Sequence, residues 1–339
     1  FRGDFGWHTL EGRPDEACRV VPLPVRFSRP VHVMAYGGPL AALLAEPWDL
    51  IHCWEEPYVA AAAQIARRVR PGVPLVFATF QNISKRYPPP FGWIERFAMK
   101  RANGVIAFGR TVAEVVQARG FGATPLAVIP PGVDLAAFRP DQARRSATLN
   151  GLGWGDGAPV VGFVGRLVPE KGLGLLTSVL DRLTTPWRAL IVGGGPLESA
   201  VAAWAGRHGD RVRLITTARH DDVPALLNAM DVLCAPSRTT ARWREQFGRM
   251  LTEAFASGVP VIASASGEIP NVVGDAGILL PEDDPLEWLR ALEQLTTDGA
   301  RRAELASRGR SRAESVFGWA TVARQHLEFF DRVIESQAA

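Results

Sequence analysis

The chain has 339 residues, 47% of them hydrophobic and 22% charged, enough for two domains with cores and too apolar for a disordered chain. The formal net charge of +3 is unevenly spread: residues 1–140 carry 16 Lys and Arg against 11 Asp and Glu, and the remainder is slightly acidic. A basic first half points to an anionic partner, whether phosphate, anionic lipid or nucleic acid. In chain order, short apolar runs at 49–53, 73–79, 104–107 and 126–129 alternate with helical spacing at 57–69, 91–101 and 111–119. A second series has strands predicted at 160–164, 189–192, 212–215, 232–234, 259–263 and 277–280, with helices at 173–183, 197–207, 223–229 and 247–257. Continuous apolar runs of about five residues are what parallel strands covered on both faces require, so two doubly wound α/β sheets are expected. Between the series, residues 135–158 are polar and Gly-rich and read as a linker; from Asp284 to Ala339 the pattern is helical throughout.

The cysteines Cys18, Cys53 and Cys234 are far apart and form no CxxC pair, which excludes a zinc knuckle or disulfide framework and suggests a reducing compartment. The apolar runs are too short to cross a bilayer, and Phe1-Arg2-Gly3-Asp4 has no apolar signal core, so a cytoplasmic protein is expected.

Three turns in the second series carry chemistry. Gly165-Arg166-Leu167-Val168-Pro169-Glu170-Lys171-Gly172 runs from a strand into a helix, where parallel sheets bind ligands. Arg166, Lys171 and the helix's positive end suit a diphosphate; as solvated turn residues the two cations would mean nothing, and the turn alone does not decide. Val192-Gly193-Gly194-Gly195-Pro196 is a second strand-to-helix turn, whose glycines allow a ligand close to the backbone. Third, Glu245-Gln246-Phe247-Gly248 leads into a helix with Glu253 expected about two turns in. Two carboxylates suit pairs of sugar hydroxyls; taken alone, a helix-dipole partner and a solvated Glu explain them better.

The three turns together are specific. Residues 160–284 closely resemble the C-terminal domain of the GT-B-fold retaining glycosyltransferases of family 4: GRLVPEKG is similar to G-R-L-x-x-E-K-G, IVGGGPL to the G-x-G-P-L turn, and EQFGRMLTEAFASGVPVIAS to the E-x7-E signature. SGEIPNVVGDAGILLPEDD resembles the downstream G-x-x-P-E-x-V segment, with Asn271 where Glu is usual, and DLIHCW, PLVFATF, ANGVIAFG and VIPPGVDLAAF fit the first domain more loosely. The resemblance implies two Rossmann-like domains facing a cleft, residues 1–140 on the acceptor side and 141–316 on the donor side, with a final helix over 317–339 crossing back. It implies a nucleotide-diphosphate-sugar donor, with Arg166 and Lys171 on the diphosphate, Glu245 on sugar hydroxyls and Glu253 on the ribose. Gly165, Gly194, Gly195, Gln246 and the backbone of Phe247 and Gly248 would complete the donor site. Neither a metal nor a resident cofactor is implied, since Arg and Lys neutralise the leaving diphosphate. The acceptor, a glycan, a lipid-linked sugar or a small molecule, is not implied.

There are departures. Gln81 stands where the family usually has a His, so a hydrogen bond to a donor hydroxyl remains but a proton role is lost; a loop cap is the other reading. Gln246 replaces the Gly of E-G-F-G. FRGDFGWHTLEGRP does not resemble the family's opening strand and Gly-rich loop, so the N-terminus is expected to be missing or altered. That keeps a non-catalytic nucleotide-sugar-binding relative as an alternative. A nucleotide-sugar 2-epimerase shares the fold but lacks this E-x7-E, and a nicotinamide oxidoreductase lacks support because no G-x-G-x-x-G opens the first domain. Nucleic-acid binding is not expected. Residues 84–101 hold five basic residues, one acid and four aromatics; the preferred reading packs the aromatics inward, and the other is a phosphate-binding acceptor surface or one in peripheral contact with an anionic membrane at the inner face.

Overall fold

The computed structural model describes residues 18–122, 124–155 and 157–338, with the backbone of Arg2–Gly3 and Gly6–Trp7. Most of the opening segment, on which the expectation of a missing or altered N-terminus rests, lies outside the described residues. The chain divides into two compact units, 1–129 with 325–339, and 130–324.

In the first unit four parallel strands, β1 (Ile51–Cys53), β2 (Leu75–Thr79), β3 (Gly104–Ala107) and β4 (Leu126–Val128), lie in sequence order. Helix Ala60–Arg68 turns Ala62, Ile65 and Ala66 onto Cys53, Leu75 and Phe77 on one face. The end of helix Trp319–Ala338 belongs to this unit. It lies so close to β3 that a Cβ on Gly104 would come within 2.9 Å of Val333 and 3.0 Å of Phe329. Asn103 ties the two elements together: its amide nitrogen donates to Gln337 Oε1 at 2.8 Å and its Oδ1 accepts from Leu75 N at 3.0 Å.

Beneath that helix, His52 touches the rings of Trp54, His326 and Phe330. Its Nδ1 accepts from the Trp54 indole, so the neutral ring carries its proton on Nε2, a buried atom with no partner among the described residues. Burial, with His326 adding to it, pushes His52 down to about 4 from 6.5. Between those two pH values the unfolded chain takes up a proton that the folded chain refuses. The stabilisation is therefore complete above pH 6.5 and falls as the pH drops towards 4, by about 3 kcal/mol in all. Denaturant melts from pH 7 to pH 4 are expected to show this loss in the wild type and a flatter profile in His52→Phe; parallel profiles would remove His52 as its source.

The second unit holds six parallel strands: β5 (Val160–Val164), β6 (Arg188–Val192), β7 (Val212–Ile215), β8 (Val232–Ala235), β9 (Val261–Ser264) and β10 (Ile278–Leu280). Their order is β7-β6-β5-β8-β9-β10, the doubly wound Rossmann arrangement. Alternation explains why the strands read as nearly continuous apolar runs, with Arg213 on the edge strand β7 as an exception. Val160, Leu190, Val192, Leu233 and Ala235 face one core cluster, while Val161, Phe163, Ala189, Ile191, Val232 and Cys234 face the other.

Several expectations are corrected. The residues read as a linker contain a helix, Gln142–Gly151, with Asp141 Oδ1 accepting from Arg144 N at 3.0 Å as its N-cap. Polar residues fasten it in place of an apolar stripe: Arg145 holds Asp231 with a bidentate pair of bonds at 2.9 and 3.1 Å, and Asp141 N donates to Asn228 Oδ1 at 2.7 Å. Val133 and Phe138 are core residues of the second unit, so the division falls after Ile129 rather than at residue 140, and the chain rejoins the first unit at Gln325. In the terminal helix Val322, Phe329 and Val333 are buried, whereas Trp319 and Leu327 are exposed.

The helix Phe91–Arg101 overturns the preferred reading of its aromatics. Glu95, Ala98 and Met99 are buried, while Trp93 is 61% and Phe97 42% exposed. Glu95 is held there by Arg119, which also sits over the Tyr87 ring. Trp93, Arg96, Phe97, Lys100 and Arg101 share the outward stripe, at the i, i+3, i+4, i+7 and i+8 positions of one helical face.

Candidate active site

In the second unit the chain leaves β5 for β6 on one side and β8 for β9 on the other, so the loops after β5 and β8 flank the switch point, where doubly wound sheets take ligands. All three sequence-predicted turns lie at this edge. The turn after β5 is clamped by its neighbours: Gly165 N donates to Val192 O at 3.0 Å and Leu167 N to Gly194 O at 2.9 Å. Gly195, at φ 151°, lets the second turn approach so closely that a Cβ would lie 2.7 Å from Leu167 O. Gly194 has room for a Cβ, whose closest neighbour would be Thr216 O at 3.5 Å. Gly172 stands at φ 68° with Pro236 O only 1.7 Å from where a Cβ would be. A side chain there would drive the turn after β5 away from the β8 loop and take Lys171 with it.

That approach joins Lys171 to Glu245. Lys171 closes the short 3-10 turn Pro169–Lys171 and is 9% exposed, and Glu245 is 6% exposed. Their Nζ–Oε2 distance is 2.5 Å, and Ser237 Oγ donates to the same oxygen at 2.9 Å. The Glu245 backbone is pinned as well, its carbonyl accepting from Glu268 N at 3.0 Å. Arg166 is exposed, so the two cations of this turn stand in different environments.

Glu253 is 8% exposed, so neither carboxylate is a solvated one. Its helix is shorter than expected, Arg249–Ala256, and opens on Gly248 at φ 82°. Glu253 therefore lies about one turn in, not two. Burial pushes its carboxyl up; Arg249, 3.6 Å away, and His220 oppose that. The Phe247 side chain is a core group packed edge-on against Phe317, which leaves its backbone for a ligand, and Gln246 is exposed.

Gln81 lies in the first unit, and its amide is used within its own loop. Nε2 donates to Tyr87 OH at 2.8 Å and Oε1 accepts from Ile83 N at 3.1 Å, the geometry of a loop cap. Sequence reasoning passed over neighbouring Glu56, whose carboxylate accepts from Thr79 Oγ1 and Phe80 N, both at 2.7 Å, and whose burial raises its pKa. It also passed over Ser237, Glu268 and Trp243. Trp243 has a signal in hindsight, a bulky aromatic two residues before a buried carboxylate.

A ligand entering the second unit's edge would meet an ammonium, an exposed guanidinium, glycine-lined backbone and two buried carboxylates. On a Rossmann sheet this combination has the chemistry to take a phosphorylated, hydroxyl-rich ligand. Comparison with known proteins is consistent with that class. Residues 158–298 match the family described as Glycosyl transferases group 1, and residues 7–137 match Glycosyltransferase Family 4. A D-inositol 3-phosphate glycosyltransferase of Salinispora tropica is 32% identical over 98% of this chain and 71% of its own length. One from Kineococcus radiotolerans is 33% identical over 65% of this chain, the match spanning 55% of that relative. Among solved structures, HepE of Anabaena in complex with UDP-glucose aligns with TM-score 0.73 and 24% identity, over 86% of this chain and 82% of its own. Sucrose-phosphate synthase of Thermosynechococcus elongatus aligns with TM-score 0.70 and 23% identity, over 87% and 76%. The fold is GT-B. The chain belongs to the family 4, group 1 glycosyltransferases.

Proposed function

We propose that this glycosyltransferase moves a sugar from a nucleotide-diphosphate-sugar donor to an acceptor hydroxyl, with retention at the anomeric carbon and without a metal ion. The carrying observation is the buried Lys171–Glu245 pair at the switch point, with Glu253 buried on the following helix. Lys171 and Arg166 meet the negative charge that grows on the departing diphosphate, Glu245 accepts from sugar hydroxyls and Glu253 from the ribose. Structures of HepE with UDP and with UDP-glucose support a nucleotide-sugar donor. The names of the curated relatives support a phosphorylated inositol among the acceptors to be tried. A cavity of about 520 Å³ in the first unit, lined by Lys85, Arg86, Tyr87, Arg96 and the Arg119–Glu95 pair, offers the cations of Lys85, Arg86 and Arg96 to such a phosphate.

A thermal-shift screen with UDP, GDP and ADP sugars identifies the donor, because a ligand that binds only the folded state raises Tm. Transfer to D-inositol 3-phosphate and to water is then followed with and without EDTA, and the product's anomeric configuration is read by NMR. Donor binding without turnover would favour the non-catalytic relative; an inverted product would refute retention, and loss of turnover with EDTA would refute metal independence.

We propose, separately, that the protein makes peripheral contact with an anionic membrane at its inner face. No helix among the described residues is long and apolar enough to cross a bilayer. The contact is carried by the outward stripe of Trp93, Arg96, Phe97, Lys100 and Arg101, which has two exposed aromatics, three cations and no acid. Co-sedimentation with phosphatidylglycerol vesicles is expected to weaken as salt rises and to fail for the exposed-site double variant Trp93→Ser/Phe97→Ser. Equal binding to neutral phosphatidylcholine vesicles, or by the double variant, would refute it.

A further inference from the structure

Between Ser237 and Glu245 the chain makes an excursion that neither β8 nor the following helix requires. It is anchored at its start, where Arg238 N donates to Glu170 O at 2.7 Å. Thr239 is fixed twice to Glu282, through its N at 2.5 Å and its Oγ1 at 2.6 Å, and shares a hydrogen bond with Ser266 Oγ at 2.9 Å. A tight turn follows, with Thr240 N donating to Trp243 O at 2.7 Å and Trp243 N to Thr240 Oγ1 at 3.0 Å. The product of this fastening is the position of one ring. Lys171 Nζ, the ammonium that holds Glu245, lies over one face of the Trp243 indole, 5.5 Å from the ring centroid. Trp243 is half-buried and belongs to neither apolar cluster of its unit, so the ring is not there to fill the core.

We propose that Trp243 is the platform for the donor sugar, the indole face turned away from Lys171 taking the apolar C–H face of the pyranose while Glu245 accepts from the hydroxyls at the sugar ring's edge. A pyranose presents both kinds of surface, and an aromatic face beside a carboxylate matches them at once. Lys171, beneath the ring, serves the phosphate attached to that sugar. The loop 238–244 is then a specificity element that senses the sugar rather than the nucleotide. This rests on the nucleotide-sugar reading of the site.

Calorimetry with UDP and UDP-glucose, and with GDP and GDP-mannose, tests it on the wild-type chain, Trp243→Phe and Trp243→Leu. Phe keeps a ring; Leu keeps bulk without one. Trp243→Leu is expected to weaken the sugar nucleotide by about tenfold and the bare diphosphate by less than about twofold, with Trp243→Phe close to wild type. Equal losses for both ligands in Trp243→Leu, with a lowered Tm, would show a structural role and overturn the proposal, as would unchanged donor affinity. Wild-type protein that binds none of the four probes, nor ADP or ADP-glucose, would overturn the donor reading itself, and this inference with it. If Trp243→Leu does not fold, sugar-nucleotide affinity in Trp243→Phe decides: a tenfold loss there, with Tm kept, refutes an interchangeable aromatic platform.

Discussion

Arg166→Ala and Lys171→Ala are each expected to slow transfer by about two to three orders of magnitude, the usual cost of removing one preorganised donor from a charge that develops in the transition state. Their effects on the fold should differ. Arg166 is exposed, so its loss should change stability by no more than about 0.5 kcal/mol. Lys171 is buried against Glu245, and removing it leaves a carboxylate in a site that excludes water. Breaking a buried pair from one side costs about 3–5 kcal/mol, so Lys171→Ala should lower Tm by many degrees while Arg166→Ala does not. Reading both as turn cations predicts equal, mild effects on stability; the burial of Lys171 separates them. Turnover of the selected donor and thermal melts of the two single variants and the double variant check this. Near-normal turnover by the double variant would refute the diphosphate role.

Much of this architecture could be read from the residues. The strands of both large sheets were visible as apolar runs because parallel strands packed on both faces leave few positions polar, as the alternation of Val160 and Val161 between the two clusters of the second unit shows. The turns at the switch point were visible because glycine and paired charges interrupt those runs. What stayed hidden depends on distant partners. Helix Gln142–Gly151 was concealed because it is held by an N-cap and by Arg145 on Asp231, with no apolar stripe to reveal it. The exposure of Trp93 and Phe97 was concealed because a charged residue, Glu95, paired with Arg119, takes a buried position on their helix beside Ala98 and Met99. The burial of Glu245 was invisible for the same reason, since its cation lies 74 residues upstream. A lone carboxylate in a loop reads as solvated until the chain is folded around it.

The carboxylate pair gives the second large effect. Glu245→Gln is expected to abolish transfer while leaving affinity for the bare nucleoside diphosphate nearly unchanged, and Glu253→Gln to weaken diphosphate and intact donor together. Gln is the better substitution at 245, because Ala would also leave Lys171 without any polar partner on that side chain. Each buried carboxylate accepts hydroxyl hydrogen bonds on the proposed reading, and a site built for a hydroxyl discriminates because its absence leaves a desolvated charge unpaired. The pH dependence separates the two further. Burial raises the Glu253 pKa, so on acidification it takes up its proton above the usual carboxylate range. An ionised Glu253 is what accepts from two ribose hydroxyls, so wild-type nucleotide affinity should fall at that early step, and Glu253→Gln should lack it. Calorimetry of both variants against diphosphate and donor, across pH 4 to 8, measures all of this. Equal, small losses for both ligands in both variants, with no acid step in the wild type, would mean that the E-x7-E pair serves only the packing of its own helix and loop.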